Sequence, residues 1–405
     1  MMEDQKRIQS LYTALCTTCV LEGVLKTPVL HAFMQYAEAS GLHEQLKRYS
    51  AFVNQIYQGG GNLTDCVRRA VFEDENVYVT ARAADSGTNA YIHAALVREL
   101  QTLATLVTLT AADFAADMET ALPLAEFASG EADLCAEYEA RVADIGKHGY
   151  GMFASNGMFR LSDTGEHRIE PIFSADRISL DSFTGYREER QRVIDNTQAF
   201  VSGGPAANVL LYGDAGTGKS STVKAVANAF YEEGIRLIEM RKDQMSQLPL
   251  VMEKISRNPL KFIIFIDDLS FNRNDDTFSM LKAALEGSAS AKAPNAVIYA
   301  TSNRRHIVRE SFGEREGDDV HRNDTTQELL SLSARFGLTV QFGKPDKKLY
   351  LEIVRELARK HEIQTDINRL EIEAEAFALR RGHRSPRCAE QFINSLLSGR
   401  KEPLC

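Results

Sequence analysis

Apolar residues recur along this chain with two different periods, and the change falls a little before its middle. From about Arg7 to Val142 they return every three or four positions, as in Ala95, Leu96, Leu100, Leu103 and Val107. That spacing draws one stripe along a helix and predicts a mainly α-helical N-terminal domain over residues 1–145. Gly59, Gly60 and Gly61, and the turn-forming Asp85-Ser86-Gly87, divide it into shorter units. Residues 146–170 carry Gly146, Gly149, Gly151, Gly157 and Gly165 with aromatics and little periodicity, and read as a linker containing at most a short hairpin. After Pro171, apolar runs of five or six residues alternate with amphipathic segments, the pattern of a parallel sheet covered on both faces by crossover helices. Strands are predicted at 208–212, 236–239, 262–266, 296–300 and 338–342, within a sheet domain spanning 171–345. From Lys347 onward the strand pattern stops. Leu349, Ile353 and Leu357 make a helical stripe, and further helices at 371–379 and 386–397 complete a small helical lid over 346–405.

Composition narrows the class without changing this division. A hydrophobic fraction of 44% in 405 residues supports two or three ordinary globular domains. The net charge of -9 is uneven: residues 1–170 hold 13 basic against 23 acidic side chains, and the remainder is nearly balanced. An acidic N-terminal half disfavours binding to a phosphate backbone and favours a protein partner. Six scattered cysteines are too few for a disulfide scaffold, and the Cys16-Thr17-Thr18-Cys19 pair lacks the second pair or nearby histidines that a zinc site needs. The first residues lack the basic and continuous apolar regions of a secretory signal, and the apolar run at 262–266 is far short of the roughly 20 residues that span a membrane. A cytoplasmic protein without a membrane partner is expected.

The chemistry concentrates at the ends of three apolar runs. The first leads into Gly213-Asp214-Ala215-Gly216-Thr217-Gly218-Lys219-Ser220-Ser221, which fits the phosphate-binding pattern G-x-x-x-x-G-K-[ST] between a strand and a helix. Its glycines let consecutive backbone N–H groups turn toward a β-phosphate, and the helix N-terminus adds partial positive charge. Lys219 would then neutralise β- and γ-phosphates and the Ser220 hydroxyl would ligate magnesium. The second run delivers Asp267 and Asp268, two adjacent carboxylates that are costly without a cation; Asp267 suits the metal, and Asp268 suits orienting or deprotonating an attacking water. A pair of acids capping the following turn is the competing reading. The third run ends in Thr301, Ser302 and Asn303, and the Asn303 amide is positioned to hold a lytic water or a γ-phosphate.

Gly213–Ser220, Asp267-Asp268, Asn303 and Leu332-Ser333-Ala334-Arg335-Phe336 resemble, in order and spacing, the Walker A, Walker B, sensor 1 and arginine-finger elements of AAA+ ATPases. Within these, residues 171–400 look like an uncharacterised bacterial AAA+ family known only as an ATP-binding domain of unknown function. The resemblance implies an α/β P-loop fold: a three-layer sandwich around a five-stranded parallel sheet, with the helical lid behind it. It implies ATP and Mg2+ as ligands, ATP hydrolysis, and a homo-oligomer, as a hexameric ring or spiral, in which Arg335 reaches a neighbour's nucleotide; a cis arginine capping the Phe336-Gly337 turn is the alternative. Arg387 falls where the family carries sensor 2, with Arg384 as the weaker candidate, and Ile178, Gly185 and Tyr186 fall where relatives wrap the adenine. One departure stands out: Walker B reads Asp-Asp instead of Asp-Glu, and the shorter second acid implies slow, switch-like hydrolysis. Arg304, Arg305 and His306 and the charged segment 313–328 are candidates for a subunit interface or central channel. Remodelling of an unidentified protein client is the leading expectation, and a nucleic-acid loader or initiator is the alternative.

Overall fold

The N-terminal helices begin at short polar side chains that turn back onto their own first N–H groups. Asn62, Asn76, Asn89 and Asp133 each accept from backbone amides one to three residues into a helix. The computed structural model of the protein describes residues 7–162, 169–173, 178–269, 281, 285, 293–303 and 335–398. The chain divides into two compact units: Met1–Asn156 with Arg257–Leu260, and Gly157–Ser256 with Lys261–Cys405.

The regular elements of the first unit include the helices α1 (Arg7–Leu15), α2 (Glu22–Leu25), α3 (Pro28–Ala37), α4 (Leu42–Gln58), α5 (Leu63–Glu73), α6 (Val77–Ala83), α7 (Ala90–Leu106), α8 (Ala111–Asp117), α9 (Leu134–Ala143) and α10 (Ile145–His148), with an irregular segment over 118–133. Its centre is aromatic. The Phe114 ring lies within 6.5 Å of the rings of Phe33, Tyr36, Tyr49 and Phe52. The buried Glu99 carboxylate of α7 accepts from the backbone N–H groups of Cys19, Val20 and Leu21, holding the chain that enters α2. The Cys19 thiol donates to the same carboxylate at 3.3 Å. Among the described residues no cluster of His, Cys, Asp and Glu is arranged to hold a metal, and no helix is long and apolar enough to cross a membrane.

The second unit is built on one sheet with the strand order β2-β1-β4-β5-β6-β3-β7. Its strands are β1 (Met158–Leu161), β2 (Ile169–Pro171), β3 (Val209–Gly213), β4 (Ile235–Met240), β5 (Lys261–Ile266), β6 (Ala296–Ser302) and β7 (Leu338–Phe342). The five strands predicted from apolar runs are all present and parallel. The sheet is wider than the expected five strands. Met158, Phe159 and Arg160 pair in parallel with Leu237, Ile238 and Glu239, and β2 closes this edge antiparallel to β1. The segment read as a linker therefore belongs to the sheet unit from Gly157 onward. Four and three residues are too few to show a period amid glycines, although Met158, Phe159 and Leu161 are buried.

Both faces of the sheet are dry. Val209, Leu211, Leu237, Ile263, Phe265 and Tyr299 share a core with Val193 and Phe200 of α11 (Arg187–Val201) and Val223 and Val226 of α12 (Lys219–Ala229). The alternating residues Leu210, Ile238, Ile264 and Ile298 point to the opposite face and are equally buried. There α13 (Leu248–Ser256) contributes, its Ile255 carbonyl accepting from the Asn295 amide just before β6. After β7 come α14 (Lys347–Lys360), α15 (Ile367–Arg381) and α16 (Pro386–Leu397), which surround their own core of Tyr350, Ile353, Val354, Phe377, Phe392 and Ile393.

Candidate functional site

Because β3, β5 and β6 are parallel, their C-terminal ends share one edge of the sheet, the edge where open α/β proteins bind ligands. β3 runs out into the glycine turn and α12. Gly213 has φ +137, and a Cβ there would lie 2.0 Å from the Phe342 carbonyl oxygen, so the turn can pass β7 only with glycine. The Asp214 N–H then donates to that oxygen at 3.1 Å. Ala215 and Gly216 carry the turn on, the Thr217 hydroxyl closes it on the Asp214 carbonyl at 2.8 Å, and Gly218 takes φ +90 as the N-cap of α12. Ser220 and Ser221 follow in the first turn of that helix.

Lys219 is only 6% exposed, and its ammonium donates to the carbonyls of Gly213 (3.0 Å) and Asp214 (2.7 Å) and to Asn303 Oδ1 (3.1 Å). Burial pushes its pKa below the ordinary lysine value, while the carboxylates of Asp214, Asp267 and Asp268 pull it back. One oxygen of Asp267 accepts from Ser220 Oγ at 2.6 Å, Thr301 Oγ1 at 2.5 Å and the Asp268 N–H at 3.1 Å. The expected loop hydroxyl and metal carboxylate thus stand side by side. Asp268 has a left-handed backbone, φ +50, unusual for a non-glycine residue, and its N–H is fixed by Thr301 Oγ1 at 2.9 Å. The Asn303 side chain bridges the two halves, accepting from Lys219 and donating through Nδ2 to Asp268 Oδ1 at 2.8 Å.

Beyond the glycine turn a cleft opens between the core and the lid. Its floor is Gly216, Thr217 and Gly218, one wall includes Phe183, Thr184 and Arg190, and the lid supplies Ile353, Arg387 and Glu390 among others. Arg387 follows the N-cap Ser385 of α16; its N–H donates to the Gly216 carbonyl at 3.2 Å. A Cβ on Gly216 would stand 3.2 Å from the Arg387 Cβ. Arg384 is instead engaged inside the lid, its Nε and Nη2 donating to the two Glu375 oxygens at 2.7 and 2.9 Å.

The residues expected around the adenine fall in different places. Gly185 (φ +72) packs under Ile353 and Leu349, and Tyr186 is buried, its hydroxyl on the Gly343 carbonyl and its ring 5.4 Å from Phe342. Ile178 is held by the Asn228 amide, eight residues and so roughly 12 Å along α12 from Ser220. The cleft wall is made by their neighbours. Arg190 lies over the Phe183 ring at 5.0 Å and donates to the Gly185 carbonyl; burial lowers its pKa. Nothing in the spacing of Phe183, Thr184, Arg190 or Glu390 announces them, because only the folded chain brings them to the glycine turn.

Arg335 stands elsewhere. It precedes β7, and the adjoining Gly337 lies against Ala207, just before β3, so Arg335 sits by the sheet edge opposite the glycine turn. The remaining finger residues 332–334, the basic trio at 304–306 and segment 313–328 lie outside the described residues.

The glycine-turn strand lies inside the sheet between β6, which ends toward Asn303, and β7, with Asp267 and Asp268 one strand further on. With its helical lid, this is the P-loop AAA+ α/β fold that the motifs imply. Solved structures of the RuvB Holliday junction branch migration motor of Thermotoga maritima are similar at 17% identity and a TM-score of 0.37, over 55% of this chain and 64% of that one. A single-substitution variant of the same protein gives 16% identity and 0.38, over 55% and 65%. The chain thus spans less than two thirds of the length of these structures. The protein family described as "Protein of unknown function (DUF815)" matches residues 154–400, well over half the chain and all of the described site, and the chain belongs to that family.

Proposed function

We propose that this protein binds ATP with Mg2+ at the glycine turn and hydrolyses it, acting as an oligomeric AAA+ ATPase on a protein client. The observation that carries this reading is the meeting of the two halves of the site: Ser220 Oγ lies 2.6 Å from Asp267, and Lys219 reaches Asn303 at 3.1 Å. The donor set fits a magnesium triphosphate. A hydroxyl beside a carboxylate offers the hard oxygen ligands that Mg2+ takes, so Ser220 and Asp267 would hold it, and its charge would offset that of the phosphates. Lys219 now spends its donors on oxygens of its own chain, acceptors that phosphate oxygens can replace. The loop N–H groups and the start of α12 favour the same anion.

In this reading Asp268, with its backbone held left-handed beside Thr301, receives or orients the attacking water, and the Asn303 amide fixes the carboxylate. Arg387 approaches the phosphates from the lid through its bond to Gly216. Arg335 lies by the far edge of its own sheet and is assigned to a second copy's nucleotide. The client is assigned to the acidic N-terminal unit.

Lys219→Ala removes the buried cation of the loop. The expected result is at least about a 100-fold loss of ATP affinity by calorimetry, since each charged hydrogen bond contributes about 1.5–3 kcal/mol. Unchanged affinity would sink the nucleotide assignment. Salt-dependent DNA binding that stimulates turnover would redirect the client from protein to nucleic acid.

A further inference from the structure

The lid places one carboxylate in the same cleft as the glycine turn, and that is an awkward position for an acid. Glu390 lines the cleft together with Gly216, Gly218 and Arg387. Glu390 is exposed to solvent, and a carboxylate facing bound phosphates would be repelled by them, so any ligand group it bonds has to be a donor other than the phosphates. Several other lid acids are engaged within the fold: Glu375 with Arg384, Glu371 with Arg355, and Glu356 with Arg187. Glu390 enters no ion pair among the described residues.

Its position along the cleft says which group it meets. Arg387 touches the turn itself, its Cβ 3.2 Å from where a Gly216 Cβ would be. Glu390 stands three residues further along α16, a rise of roughly 4.5 Å, on the same face of the helix. The apolar part of the cleft, Ile353 and Leu357 with Phe183 across from them, comes from other elements. A nucleotide is ordered phosphate, sugar, base. With the phosphates at the glycine turn, a carboxylate one helical turn further along the cleft falls at the level of the sugar.

We propose that Glu390 is a specificity-determining residue that accepts hydrogen bonds from the ribose hydroxyls and makes this a site for ribonucleoside triphosphates. Two neighbouring hydroxyls are donors that a single ionised carboxylate can receive at once, and a carboxylate left facing a deoxy sugar loses a partner it was placed to bond. The inference rests on the nucleotide reading of the cleft.

Calorimetric titration with four probes tests it: ATP, 2′-deoxyATP, 3′-deoxyATP and inosine triphosphate, against the wild-type full chain, Glu390→Gln and Glu390→Ala. The expected result is that wild type binds ATP at least about tenfold more tightly than either deoxy analogue, and that Glu390→Ala binds ATP no better than wild type binds the deoxy analogues. Glu390→Gln, which keeps the volume and one acceptor, should fall between. Equal wild-type affinities for ATP and both deoxy analogues overturn the proposal, as does discrimination that survives in both variants. A Glu390-dependent loss confined to inosine triphosphate moves the contact from sugar to base amino group and also overturns it. Failure of wild type to bind any triphosphate would overturn the ATP reading itself, a result distinct from binding without sugar discrimination.

Discussion

Gly213 is the most crowded point of the phosphate turn. Its φ of +137 excludes ordinary side chains, and a Cβ would come within 2.0 Å of a backbone oxygen of β7, not of a side chain that could swing aside. Gly213→Ala must therefore bend the turn away from the sheet edge. Backbone strain and overpacking together should cost on the order of 3–5 kcal/mol, lowering the melting temperature of the sheet unit by roughly 10 °C or more. A thermal melt within a degree or two of wild type would mean that β7 yields easily. The sequence pattern already required glycine at 213 and 218, because the motif is a statement about backbone. It also pointed to Lys219, Asp267 and Asn303, and in the fold Lys219 bonds Asn303 while Asp267 bonds Ser220. It said nothing of the role of Thr301 as the hinge of the acid pair, bonding both Asp267 and the Asp268 N–H, although it did mark that hydroxyl as a hydrogen-bonding group.

Among the elements, the lid adds a charged clasp to its apolar core. Arg384, in the turn before α16, bonds Glu375 of α15 through two nitrogens, and Lys347 of α14 stands 3.7 Å from the same carboxylate. The Arg384 guanidinium holds the Glu375 carboxyl below its ordinary value of 4.5. A carboxylate with a lowered folded-state pKa stabilises fully above its unfolded value and loses that contribution as pH falls through the lowered one. The clasp should therefore be intact at neutral pH and be lost on acidification below about 4.5. Glu375→Gln should cost about 1 kcal/mol at pH 7 and almost nothing at pH 3, measured by denaturant titration at the two pH values. An equal cost at both would show that the amide disturbs packing and not charge. The central strands were legible in the sequence because burial on both faces makes them predominantly apolar, as in Lys261–Ile266 and Ala296–Ser302. The pair β1 and β2 was not: seven residues in two strands among glycines acquire meaning only from pairing with β4. The cleft wall at Phe183 and Arg190 was hidden for a related reason, since its function depends on which strand end it adjoins.

For the whole molecule, the geometry of one chain sets Arg335 and the phosphate turn at opposite ends of β7. The strand from Leu338 to Phe342 spans four residue steps, roughly 13 Å, and its far end is the one that meets the phosphate turn. Arg335 lies three residues before the near end, two before Gly337, which packs against the Ala207 side chain. An arginine so placed is remote from its own glycine turn, and in the proposed reading it serves a second copy's nucleotide while Asp268 serves its own site. The two roles can therefore be supplied by different subunits. Arg335→Ala alone should retain ATP affinity within about twofold yet lose at least about 10³-fold in turnover, the range over which such arginines act in related NTPases. Asp268→Asn alone should likewise bind and not turn over. Mixed in equal amounts, the two variants form some interfaces that pair an intact Asp268 with an intact Arg335, so a fraction of the wild-type rate should return. Turnover that stays at the level of the separate variants, while light scattering shows mixed assemblies of normal size, would remove Arg335 from the neighbour's site and return it to a structural role before β7.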